Sequence, residues 1–275
     1  MTQKTRYLLV STSILALTTL CWPQAKIDQG SVTSLRLTVM SGEKEIATAT
    51  GFVMEKNNKH YLITNRHVVL LCNQDQDPNN VGGWICATHL AILQNKEGRL
   101  GQWIRVIEDL YSGPGHDKRW LEHPTLHGAV DIVALPLTHI EDVQFYPVDP
   151  GMMNEDMSVL PGDPVAIVGF PLGLVQSGGL PIWKTGTVAS DPDMDYEGKR
   201  MFAVDTTSRP GMSGSPVYAV RSGTYRSKAG TLMVPLAAGS SVKRMLGVYS
   251  EQILVAEIGG VWKAEVLKEL YDSLP

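Results

Sequence analysis

The sequence predicts an all-β chain closed by a single C-terminal helix. Three observations predict it. Short β-rich runs recur from residue 31 onward, turn residues separate them, and a helical period sets in only after Gly259-Gly260. Gly (26) and Pro (16) are scattered among the 275 residues rather than blocked, as many short strands and turns require. No repeat of solenoid length and no low-complexity segment stands out.

Taken in order, the runs are Ser31–Met40, Ile46–Met54 and His60–Thr64, the last entered from the turn-like Lys56-Asn57-Asn58-Lys59. Trp84–Leu93, Gln102–Glu108 and Val130–Leu137 follow. A second set comprises Val165–Phe170, Lys184–Ala189, Met201–Thr206, Pro216–Val220, Leu232–Ala237 and Arg244–Ile258. Residues 111–129 read as a long surface loop. Residues 147–163, with three prolines and several acids, read as a linker between two β-units. The expected division is 26–150, 151–260 and a helix over 261–275, where Val261, Ala264, Leu267, Leu270 and Tyr271 share one face.

The N-terminus differs in kind. Lys4 and Arg6 precede an uncharged stretch from Tyr7 to Trp22, the pattern of a secretory signal peptide, so residues 1–25 are read as a targeting segment. A buried N-terminal helix is the alternative. The stretch is too short and too hydroxylated for a membrane span, so no stable membrane insertion is expected after its removal. The expectation is an exported protein, periplasmic or secreted. A net charge of −4 without long runs of one sign gives no reason to expect a nucleic-acid partner. Of the three cysteines, Cys21 lies in the targeting segment, leaving Cys72 and Cys86. An oxidising compartment could join these two, closing a loop worth about 3 kcal/mol in the chain-entropy treatment. Two unpaired thiols are the equal alternative. A metal site with His89 lacks a fourth ligand.

Three short passages could carry chemistry. In Arg209-Pro210-Gly211-Met212-Ser213-Gly214-Ser215-Pro216-Val217, glycines flank a serine. A serine hydroxyl needs a base to act as a nucleophile and N–H donors to hold the developing oxyanion. Gly211 permits the turn that would aim its own N–H and that of Ser213 into one cavity. A plain Gly-Ser turn is the alternative. In Tyr61-Leu62-Ile63-Thr64-Asn65-Arg66-His67-Val68-Val69 a strand delivers a histidine between aliphatic anchors. In Val130-Asp131-Ile132-Val133 an acid sits at the mouth of an apolar strand, where an unpartnered carboxylate would be costly.

Together, the order His67, Asp131, Ser213 resembles the trypsin/chymotrypsin-like serine peptidases, in particular their compact bacterial members. It differs from the subtilisin and α/β-hydrolase orders. Ala49-Thr50-Gly51-Phe52-Val53 and the run Pro161 to Gly173 look like two further strands of that family, and the resemblance spans about residues 31–272. It implies two antiparallel β-barrels with the site in the cleft between them and a closing α-helix. It further implies a serine endopeptidase working through an acyl-enzyme on Ser213, with His67 as base and Asp131 as its orienter. The N–H groups of Gly211 and Ser213, with Met212 beside them, would form the oxyanion hole.

Departures from the animal trypsins follow. Met212 replaces the Asp that pairs with a newly cut N-terminus, Ser215 replaces a second Gly, and Val68 replaces a Cys. Thr207, Ser208, Tyr249 and Ser250 would line the substrate pocket, and Ser250 would also donate to Asp131. Thr207 carries no charge to favour Lys or Arg, and Tyr249 stands where glutamyl endopeptidases have a His. Asp191-Pro192-Asp193-Met194-Asp195 resembles the start of a calcium loop, but Tyr196 and Phe202 occupy the places of its Gly and Glu. No metal or cofactor is expected, and the expected partner is a polypeptide. The competing readings are a catalytically silent binding module of the same fold and a serine esterase.

Overall fold

A computed structural model describes residues 27–74, 83–113, 117–230, 232–253 and 256–275. The targeting segment expected at residues 1–25 lies outside them. The architecture is two β-units and a C-terminal helix.

The first unit is a seven-stranded antiparallel sheet. Its strands are β1 (Ser34–Ser41), β2 (Lys44–Lys56), β3 (Lys59–Thr64), β4 (His89–Asn95), β5 (Trp103–Asp109), β6 (Leu121–Glu122) and β7 (Val133–Pro136). They lie in the order β6-β7-β3-β2-β1-β4-β5. The second unit is a closed antiparallel barrel of β8 (Pro164–Gly169), β9 (Ile182–Val188), β10 (Met201–Asp205), β11 (Pro216–Ser222), β12 (Ser241–Ile253) and β13 (Ile258–Lys263). Its order is β8-β9-β10-β13-β12-β11.

Strands β3, β7, β8, β10 and β13 are buried on both faces, which is why they read as near-continuous apolar runs rather than clean alternations. In β2 and β3, Val53 and Leu62 face the interior of the first sheet, while Phe52, Met54, Tyr61 and Ile63 face the other way. That second set meets Met201, Tyr218, Val248 and Trp262 of the barrel in one cluster. A third cluster, including Ile167, Phe202, Val204, Met212, Val217 and Val261, fills the barrel. The interface cluster is sealed by Val266, Leu267 and Leu270 of the C-terminal helix α2 (Ala264–Ser273).

Three boundaries differ from the sequence reading. The helix starts at Ala264 rather than at residue 261, because Val261–Lys263 continue β13 in register with β10 and β12. The single run expected over Arg244–Ile258 is two strands, with Ile253 paired to Ile258 across a reversal. Trp84–Leu93 divides, and its first part, Trp84–Cys86, pairs with Cys72–Gln74 in a separate ribbon. There Cys72 stands opposite Cys86 with their Cα atoms 4.0 Å apart, and the two are joined as a disulfide. Of the alternatives left open by the sequence, the bonded one is present.

Candidate active site

His67 follows β3 directly, on the single helical turn α1 (Arg66–Val69). Val68 and Val69 anchor that turn in the first sheet's core. Asp131 lies between Val130 and Ile132, both buried, just before β7. The Asn65 amide donates to the Asp131 carbonyl at 2.6 Å and fixes the acid's backbone against the histidine turn. The carboxylate then receives three donors. The His67 backbone N–H reaches Oδ1 at 2.8 Å, the imidazole Nδ1 lies 2.7 Å from Oδ2, and the Ser250 hydroxyl donates to Oδ2 at 2.5 Å. Burial alone would raise the Asp131 pKa. The hydrogen bond and charge of His67, the Ser250 hydroxyl and the His67 N–H outweigh it, and the carboxyl falls below its ordinary value.

Ser250 comes from the opposite unit. The β12–β13 register slips between Tyr249 and Glu251, leaving Ser250 as the extra residue. A bulge of this kind re-aims a side chain, here toward the acid across the cleft. The Ser213 hydroxyl donates to the Ser250 carbonyl at 3.2 Å, so one bulged residue touches both Asp131 and Ser213.

The loop that carries Ser213 is held by its carbonyls. The Thr50 hydroxyl donates to the Gly211 carbonyl at 2.7 Å and the Thr50 N–H to the Ser213 carbonyl at 2.9 Å. The Leu172 N–H donates to the Pro210 carbonyl at 2.6 Å. A trans peptide directs its C=O and N–H to opposite sides, and no described peptide is cis. With the Pro210 carbonyl turned to Leu172, the Gly211 N–H is turned away from it. The N–H groups of Gly211 and Ser213 have no acceptor among the described residues. Met212 differs: its N–H donates to the Arg209 carbonyl at 3.3 Å, so it supplies no free donor to the expected oxyanion hole. The glycines are required by space as well as by conformation. Gly211 has φ +98° and a Cβ there would lie 2.3 Å from the Phe170 carbonyl. Gly214 has φ +86° and its Cβ would lie 2.1 Å from the Thr50 carbonyl.

The Met212 side chain is buried in the barrel core. Of the expected pocket residues, Thr207 is exposed while Ser208, Tyr249 and Ser250 are buried. The Tyr249 ring packs against the Gly259 backbone. Burial raises its phenol pKa, the Ser208 hydroxyl opposing. Sequence reasoning missed Thr50 and Leu172 as loop-fixing residues. Thr50 stands within a quoted motif, but nothing signals that its side chain crosses to the other unit. Leu172 acts through its backbone, and its only local sign is a positive φ of +54°, visible in structure alone.

Two antiparallel β-units facing each other across a cleft, with His and Asp on the first and Ser on the second, define a chymotrypsin-type peptidase fold. The chain belongs to the trypsin-like peptidase domain family, whose profile matches residues 49–224, more than half of its length. No curated protein sequence matches it. Among solved structures it is similar to a serine endoprotease from Yersinia pestis, with 14% identity over 90% of this chain and 67% of that one and a TM-score of 0.51. It also matches the active form of a protease from M. tuberculosis, at 15% identity over 89% and 81% of the two chains and a TM-score of 0.48. At these identities the likeness is one of fold.

Proposed function

We propose that the chain is a serine endopeptidase using Ser213, His67 and Asp131. The observation that carries this reading is the seating of one carboxylate by His67 and Ser250 from opposite sides of the cleft, beside Ser213. Asp131 fixes the imidazole with Nδ1 toward itself, which leaves Nε2 to take the Ser213 proton as Oγ attacks a peptide carbonyl. To react, Ser213 Oγ turns from the Ser250 carbonyl toward that nitrogen. The unengaged N–H groups of Gly211 and Ser213 receive the oxyanion. His67 then returns the proton to the leaving amine, and water resolves the acyl-enzyme by the same path. Met212, locked in the barrel core, supports activity without pairing to a freshly cut N-terminus. The residues expected to line the pocket, Thr207, Ser208 and Tyr249, carry no charge, which argues against a Lys or Arg preference.

The test is Ser213→Ala. Turnover should fall by about three to six orders of magnitude at an unchanged melting temperature. An organophosphonate should label wild type at Ser213 and leave the variant unlabelled. Absence of labelling in wild type would favour the silent binding module, and labelling with ester but no peptide cleavage would favour the esterase.

We also propose that the protein works after export. The Cys72–Cys86 disulfide suits an oxidising compartment. N-terminal sequencing of exported protein should begin shortly after residue 20, and an intact Met1 would contradict it.

A further inference from the structure

Strand β12 carries a second concentration of charge far from the cleft. Arg244 and Ser250 lie on this one strand, and at about 3.3 Å per residue they are separated by roughly 20 Å. At Arg244 the barrel opens into a cavity of about 360 Å³. Phe202 and Leu246, almost wholly buried, give it an apolar floor, while Arg226, Lys228, Arg244 and Lys263 give it a cationic wall. Asp193 and Glu265 also line it.

These charges are matched only in part, since Asp193 and Glu265 line the same cavity. Lys263 is paired with Asp195 at 2.7 Å. No carboxylate among the described residues comes within 4.0 Å of the charged nitrogens of Arg226, Lys228 or Arg244. Arg244 is tethered by Nη1 to the Met157 carbonyl at 2.6 Å, and its Nε is buried without an acceptor. Lys228 Nζ donates to the Asn154 carbonyl at 3.3 Å, and the Lys228 backbone N–H donates to Asp156 Oδ1 at 2.9 Å. Burial lowers the pKa of Arg244, with Glu265 and Asp193 opposing. Burial also lowers that of Lys228, the Arg244 charge adds to it, and Glu265, Asp156 and Glu155 oppose. Arg244 is half-buried and Lys228 exposed, their like charges repel one another, and an anion between them would relieve that repulsion.

We propose that this cavity binds a small organic phosphate, its phosphate held by Arg226, Lys228 and Arg244 and its apolar body resting on Phe202 and Leu246. Guanidinium groups match phosphate oxygens in paired hydrogen bonds, and three unpaired cations suit a dianion better than a single carboxylate. An extended polyanion is disfavoured, because Asp193 and Glu265 in the lining would repel further negative charge. The site is independent of the peptidase reading.

The experiment is calorimetric titration of the full protein with phenyl phosphate, inorganic phosphate and benzoate. Saturable one-to-one binding of phenyl phosphate is expected, tighter than either of the others. Arg226→Gln and Lys228→Gln, both at exposed positions that folding tolerates, should each weaken it by about tenfold or more, as loss of a charge-assisted hydrogen bond does. Ser213→Ala should bind as wild type does. No saturable binding at millimolar phenyl phosphate, or unchanged affinity in both variants, would overturn the site. Equal affinity for inorganic and phenyl phosphate would overturn the organic ligand.

Discussion

Two carboxylates of the first β-unit invite comparison, Asp131 at its boundary with the barrel and Glu108 on β5. Both lie lower in pKa than ordinary carboxylates, and for both burial pushes up while donors pull down more strongly. Glu108 is fully buried. It takes the N–H groups of Thr138 and His139 at 2.7 and 2.9 Å, the Thr138 hydroxyl at 2.8 Å and the Arg119 guanidinium at 3.2 Å. Arg119 also donates to the Pro136 carbonyl, so this node fastens β5 to the end of β7, the two sides of the sheet that no ladder joins. The donors of Glu108 are thus spent on closing a sheet. Glu108 also has an imidazole neighbour, His139, whose Nδ1 lies 3.3 Å away and whose side chain is more exposed than that of His67, which stands 2.7 Å from Asp131. The two acids are seated alike, and what sets Asp131 apart is that Ser250, which donates to it, also accepts from Ser213.

The comparison predicts opposite phenotypes. Asp131→Asn keeps the shape but lets an amide donate toward the ring, favouring the wrong tautomer. Turnover on one ester substrate should fall by about 10⁴ near neutral pH, with little change in melting temperature. An unimpaired variant would mean that this pair is not the catalytic one.

Glu108→Ala should do the reverse. It strands two backbone N–H groups and the Arg119 charge in the interior, for which the expected loss is about 3–5 kcal/mol in denaturant unfolding. Activity per folded molecule should be unchanged. A fall in kcat at full folding would show that the two nodes are coupled.

This contrast also explains what was legible in the sequence. His67, Asp131 and Ser213 could be read because their order and flanking residues are local patterns. Glu108 could not, since in Trp103–Asp109 it is one more polar residue and its partners lie about thirty positions later. The helix start was misplaced because Val261 and Trp262 satisfy strand and helix faces equally well in a run buried on both sides. The reach of Ser250 to Asp131 was expected from the resemblance, but the bulge that produces it is a matter of register and leaves no compositional mark. The disulfide depended on two segments meeting opposite one another, which spacing alone leaves open.

A smaller effect separates the acid's two side-chain donors. Ser250→Ala removes a hydroxyl donating to a charged group, worth about 1.5–3 kcal/mol. The imidazole and backbone donors remain, so the expected loss is near the lower bound, about tenfold in kcat with KM little changed. A loss as large as that of Asp131→Asn would mean that Ser250 does more than steady the acid.

The smallest effect lies in acid stability, and its sign distinguishes the two carboxylates by what they hold. A group whose pKa is lowered on folding contributes stability that is complete above its unfolded value, near 4 for carboxylates, and is lost as pH falls through the folded value. Glu108 and Asp131 both follow this rule. Glu108→Gln keeps a carbonyl acceptor but has no charge to lose. Its stability deficit against wild type should be full at pH 6–7 and should narrow steadily as pH falls below about 5, because only wild type is then taking up that proton. Asp131→Asn should show the same narrowing more weakly, since the Asp131 side chain keeps 25% of its exposure while that of Glu108 keeps none. The measurement is urea unfolding of the three proteins at pH 7, 5, 4 and 3. A Glu108→Gln deficit that stays constant across that series would mean that the shape of this side chain, and not its charge, closes the sheet.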